Sequence, residues 1–121
     1  MAGDARIRLF CALRLPEDVL DRLAAWQGRH VPADVRAVPR ENLHVTLAFL
    51  GARPAGEVDA IAGELSAAAA AAGPIELATE RYRETRSVGM VVLADAGGAA
   101  TALADDLAGR LARLGVYRPE V

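Results

Sequence analysis

Hydrophobic and polar positions alternate near the start of the chain, where Ile7, Leu9, Cys11 and Leu13 are interleaved with Arg8, Phe10, Ala12 and Arg14. That two-residue period predicts a strand with one packed face and one mixed face. The spacing then changes. Pro16 suits a first helical turn, Glu17 and Asp18 suit the positive end of a helix dipole, and Val19, Leu20, Leu23 and Trp26 recur at helical intervals. A helix is predicted to about His30, ahead of Pro32. Alternation returns from Asn42 to Leu50. Leu43, Val45, Leu47 and Phe49 are expected on the core side, with Asn42, His44, Thr46, Ala48 and Leu50 on the other, and Gly51 ending the run.

Pro54 is expected to open a second helix, whose stripe of Val58, Ile61, Leu65, Ala68 and Ala72 stops at Gly73-Pro74. Ile75 to Glu80 and Val88 to Ala94 read as two strands of a hairpin, the second more fully buried. Gly97-Gly98 leads into a third helix with Leu103, Leu107, Leu111 and Leu114 on one side and a cap near Gly115. The order predicts a single α+β domain over residues 1–121, an antiparallel-rich sheet with helices on its outer face. No further strand is expected after the third helix, which leaves the sheet with an unprotected edge.

Composition narrows the function classes. With 53% hydrophobic and 25% charged residues, the 121-residue chain reads as globular, and its 4% aromatic content predicts a core of aliphatic side chains. A formal charge of −2 argues against a broad basic surface for tracking long nucleic acid, while a small ligand or a single nucleic-acid end remains compatible. Cys11 has no second cysteine to pair with, which excludes an internal disulfide framework and fits a reducing cytoplasm. Arg8 and Arg14 bracket too short an apolar stretch for a signal-peptide core or membrane span, so no membrane association is expected. Cys11, His30 and His44 lack any metal-ligand spacing, and no phosphate-cradling glycine loop or nucleophilic triad is present, so neither metal nor cofactor is expected.

The candidate chemistry lies in the second strand. A two-residue separation puts His44 and Thr46 on one face, roughly 6.5 to 7 Å apart along the strand, so both can address one phosphate. An imidazole gives or takes a proton near neutral pH, and a threonine hydroxyl donates to a phosphate oxygen. On spacing alone, an isolated strand histidine is usually a hydrogen-bonded surface residue, and threonine is common in strands for its β-branching. Phe10, on the mixed face of the first strand, is a candidate for stacking on a base, with packing the alternative. His30 is most simply a dipole partner or a solvent-facing residue at a helix end. Arg81, Arg83 and Arg86 are interleaved with Glu80 and Glu84, which favours a solvated charged turn over an RNA contact.

The segment NLHVTLAFLG, Asn42 to Gly51, resembles the first HxTx segment of the two-histidine phosphoesterases, specifically the RNA 2′,3′-cyclic phosphodiesterases also called 2′-5′ RNA ligases. The start RIRLFCALRLPEDV, Arg6 to Val19, resembles that family's opening strand and helix. The resemblance implies a bilobed fold in which each lobe contributes one HxTx motif to a shared cleft. It implies metal-free opening of a 2′,3′-cyclic phosphate at an RNA 3′ end, or in a cyclic nucleotide, to leave a 2′-phosphate. In that scheme His44 is the general acid that protonates the departing 3′-oxygen, Thr46 hydrogen-bonds the phosphate, and a second histidine is the base.

The chain departs from the pattern in holding one His-x-Thr, with Arg118-Pro119 near its end where the family's second motif is approached. The expectation is therefore the N-terminal portion of such a fold, incomplete at the C-terminus. Three consequences are open: impaired hydrolysis by this chain alone, a homodimer that assembles one site from two copies of His44, or a non-catalytic module that holds a phosphate or RNA end.

Overall fold

The computed structural model describes residues 5–117. Its elements are β1 (Arg6–Arg14), α1 (Glu17–His30), β2 (His44–Pro54), α2 (Val58–Ala71), β3 (Ala78–Glu84), β4 (Gly89–Ala94) and α3 (Ala99–Leu114). Arg118 and Pro119, singled out in the sequence, lie outside the described residues.

Local chemistry sets several of these boundaries. Pro16 leads into α1, and its carbonyl takes the Leu20 amide at 3.0 Å. Gly98 and Gly115 flank α3 with φ of +75° and +86°, a left-handed backbone that any side chain would strain. At its C-terminal end the Gly115 amide donates to Ala112 and the Val116 amide to Leu111, the paired bonds of a Schellman ending, with Val116 buried beside them. The predicted limits of α1 and α3 agree with the structure.

β1 and β2 form one antiparallel ribbon, and β3 and β4 form another. The expected single sheet is thus two separate two-stranded ribbons among the described residues. α3 lies against β2, and α2 lies against α3, so both helices cover the same side of the first ribbon. The core between them joins Cys11 and Ala48 from the ribbon, Ile61 and Ala68 from α2, and Leu103, Leu107 and Leu111 from α3. It is aliphatic, as the composition predicts. Leu107 and Leu111 are fully buried, each contributing about 1.5–3 kcal/mol of apolar burial. Ala48 and Ala68 are buried too, and their small side chains let the backbones approach.

Three expectations need correction. Pro54 closes β2 instead of opening a helix, because the Ala55 amide still reaches the Ala5 carbonyl at 2.7 Å and a short 3-10 turn, Ala55–Glu57, precedes α2. Arg53 clamps that turn with two bonds to Glu57, at 2.8 and 2.7 Å. β3 begins at Ala78, while Ile75 packs against the core without forming a strand. β4 is at most half-buried, and β3 is exposed along its whole length, since α2 and α3 pack over the other ribbon.

Candidate active site

The β1–β2 ladder decides which side chains share the uncovered face. Arg14 pairs with His44, Ala12 with Thr46 and Phe10 with Phe49, all on one side, while Leu13 with Val45 and Cys11 with Ala48 face the helices. Leu47 and Leu50 are each left without a partner, as the register shifts beside them. Such bulges put two residues of one strand against one of the other and reverse the facing beyond them.

The consequence for Phe49 is direct. Strict alternation from His44 would place Phe49 on the core side and Ala48 in the open; the first bulge exchanges them. Ala48 is buried, and Phe49 is 73% exposed. The second bulge ends at Gly51, whose φ of +69° is the left-handed conformation a glycine supplies. Read as a strand terminator, Gly51 is instead a bulge residue inside a strand that continues to Pro54.

His44 and Thr46 come together as expected. His44 is exposed and Thr46 half-buried, with Nε2 of the imidazole 3.1 Å from Oγ1 of the threonine. The other ring nitrogen, Nδ1, lies 2.6 Å from the carbonyl oxygen of Asn42. A carbonyl only accepts, so Nδ1 carries the proton and donates it there. Nε2 is then the exchanging position: in the neutral ring it accepts from the Thr46 hydroxyl, and in the charged ring it donates. The face therefore presents one nitrogen that can hold or release a proton beside one hydroxyl.

Phe10 flanks this pair. It is 51% exposed, its ring centroid 4.8 Å from that of His44 and 6.2 Å from that of Phe49. Three rings thus line the uncovered face in the order His44, Phe10, Phe49, within the spacing at which aromatic groups interact. Sequence reasoning found the first two and missed Phe49. The signal lay in Leu47-Ala48-Phe49-Leu50, four apolar residues in succession ahead of a glycine, which strict alternation does not produce. Arg14 was also missed as a neighbour of the site; its position opposite His44 follows from register alone.

The remaining candidates lie elsewhere. His30 ends α1 and stacks on Trp26 at 5.0 Å, and Trp26 in turn lies 5.3 Å from Tyr82 of β3. Arg81 and Arg83 belong to β3 instead of the turn, with Arg81 paired to Glu80 at 2.8 Å. Cys11 is buried in the core, which pushes its thiol above the ordinary range, so it is a poor nucleophile. Among the described residues no three His, Cys, Asp or Glu side chains converge as a metal-holding group, and no helix is long and apolar enough to cross a membrane.

Comparison with known proteins gives the family and the fold. The family described as LigT like phosphoesterase matches residues 13–87, more than half of the chain. An RNA 2′,3′-cyclic phosphodiesterase of Escherichia coli (strain K12) is 44% identical over 45 residues, which are 36% of this chain and 26% of that protein. A protein of the same name from Methanocaldococcus jannaschii is 38% identical over 45 residues, 37% of this chain and 26% of its own. The matched stretch thus spans about a quarter of each curated relative. The crystal structure of E. coli LigT complexed with 3′-AMP superposes with a TM-score of 0.75 at 28% identity, over 93% of this chain and 67% of that one. A family match running from the end of β1 to the β3–β4 turn, and a shared fold over nearly all of the chain, place this protein in the LigT-like phosphoesterase family.

Proposed function

We propose that this protein acts on 2′,3′-cyclic phosphate ends of RNA, with His44 as the proton donor to the departing 3′-oxygen and Thr46 as a hydrogen-bond donor to the phosphate. The observation that carries the reading is the His44–Thr46 pair, with Nε2 and Oγ1 3.1 Å apart on the uncovered face of the first ribbon. Water adds to phosphorus, losing a proton to a base, as the bond to the 3′-oxygen breaks; the charged imidazole passes its Nε2 proton to that oxygen and is left neutral, and the product carries a 2′-phosphate. The bond from Nδ1 to Asn42 keeps the ring oriented through the transfer. Phe10 and Phe49 offer aromatic faces to the terminal base, next to the phosphate position. The names of the curated relatives and the 3′-AMP bound by E. coli LigT support a nucleotide end as the ligand class.

The water-activating base of this reaction is a second group, and the chain's other histidine, His30, sits on α1 against Trp26. Hydrolysis by this chain alone is therefore expected to be slower by ~10² to 10⁴ than with acid and base both in place. Titration with a nucleoside 2′-phosphate tests the reading. Binding that weakens about tenfold or more in both His44→Ala and Thr46→Ala supports it. Equal affinities in all three proteins, or a 3′-phosphate as the product of any turnover, would overturn it.

A further inference from the structure

We propose that Arg40 is a positioning residue for His44, acting through the Asn42 carbonyl that dictates which ring nitrogen carries the proton. The inference rests on the functional reading above, since it concerns how His44 is prepared for proton transfer.

The chain enters β2 through an exposed segment, residues 32–39, followed by a single 3-10 turn, Arg40–Asn42, none of whose residues is buried. Apolar burial does not fix this turn. Polar ties to α1 do, and most of them come from one side chain. Arg40 Nε donates to Asp21 Oδ1 at 2.8 Å, and a terminal nitrogen of the same guanidinium donates to the Glu17 carbonyl at 3.1 Å and to the Glu17 carboxylate. Gln27 adds a weaker tie, its amide reaching the Val38 carbonyl at 3.2 Å. The guanidinium's fork of donors thus grips the N-terminal end of α1 at three acceptors and fixes direction as well as distance.

The grip is short of the imidazole by only a few bonds. The turn closes with the Asn42 amide on Pro39 at 2.9 Å and the Leu43 amide on Arg40 at 3.2 Å. The Asn42 carbonyl, two residues from Arg40, therefore points where the turn directs it, at His44 Nδ1. An exposed ion pair adds little to global stability, because water and salt screen it. Its effect here is local. A carbonyl that wanders no longer holds the proton on Nδ1, and a neutral imidazole in water prefers to carry its proton on Nε2. Nε2 would then no longer accept from Thr46.

The test reads the tautomer in the ligand-free full chain, by nitrogen NMR of the imidazoles at a pH where they are neutral, with His30→Ala assigning the signals. The wild-type chain should show His44 chiefly protonated at Nδ1. Arg40→Gln should reduce that form by about twofold or more, and Arg40→Lys should restore part of it. The double variant Glu17→Gln with Asp21→Asn removes the same grip from the helix side and leaves the turn's sequence intact, so it should give the same shift. A wild-type ring protonated at Nε2, or an unchanged tautomer in the folded variants, would overturn the inference. Ligand affinity plays no part in this readout, so a failed nucleotide titration would count against the functional reading alone.

Discussion

Phe49 stands on the same face as His44 although an even number of residues lies between them, because the unpaired Leu47 reverses the strand's facing. That relationship turns an expected core aromatic into the far end of a ring row that begins at the imidazole. It also makes the row experimentally accessible, because an exposed side chain can be truncated without opening the core.

Phe49→Ala should weaken binding of a nucleoside 2′-phosphate by about 5- to 150-fold, corresponding to the ~1–3 kcal/mol typical of one base stacked on an aromatic ring. Thermal stability should stay within ~0.5 kcal/mol of wild type, as for other exposed positions. Isothermal titration and thermal melts separate the two effects. Phe49→Tyr keeps a ring and should bind like wild type. Unaltered affinity in Phe49→Ala would remove the stacking role.

Gly51→Ala tests the bulge itself. The added Cβ would meet nothing within 4 Å, so the cost comes from the backbone, held at φ +69°. About 1–2 kcal/mol of destabilisation is expected in urea unfolding. If the strand escapes by moving out of the left-handed region, Phe49 moves with it, and contacts between the Phe10 and Phe49 rings in proton NMR should fade. A variant with wild-type stability and ring contacts would show that the bulge does not need glycine.

Asp95 supplies a pH dependence. Its carboxylate accepts from the Thr101 amide at 2.7 Å, the Thr101 hydroxyl at 2.8 Å and the Ala100 amide at 3.3 Å, capping the start of α3 where Gly98 has no side chain to offer. These bonds, led by the one from the Thr101 amide, hold its carboxyl below the usual aspartate range. Below that range the unfolded chain binds the proton first, so this stabilisation is complete above the ordinary aspartate value and is lost as pH falls through the lower, folded value. Thermal melts from neutral to acid pH should therefore fall less steeply for Asp95→Asn than for wild type. Parallel curves would exclude the cap as a source of acid sensitivity.

Much of this protein is written in local sequence. The two-residue period of Ile7 to Leu13 specifies β1, the proline and acidic residues ahead of α1 fix its start, and the glycines around α3 fix both its ends. His44 and Thr46 share a face because one intervening residue in an extended chain leaves no alternative. Interactions between elements decided the rest. Leu47 and Leu50 bulge out of register only because β1 pairs across from β2, and a ladder cannot be read from one strand. Ala48 faces inward and Phe49 outward because the bulge at Leu47 turns the small side chain into the core that α3, far along the chain, completes. The proton on His44 is likewise set from outside its strand, by a carbonyl whose turn is tied to α1 through contacts of long sequence separation.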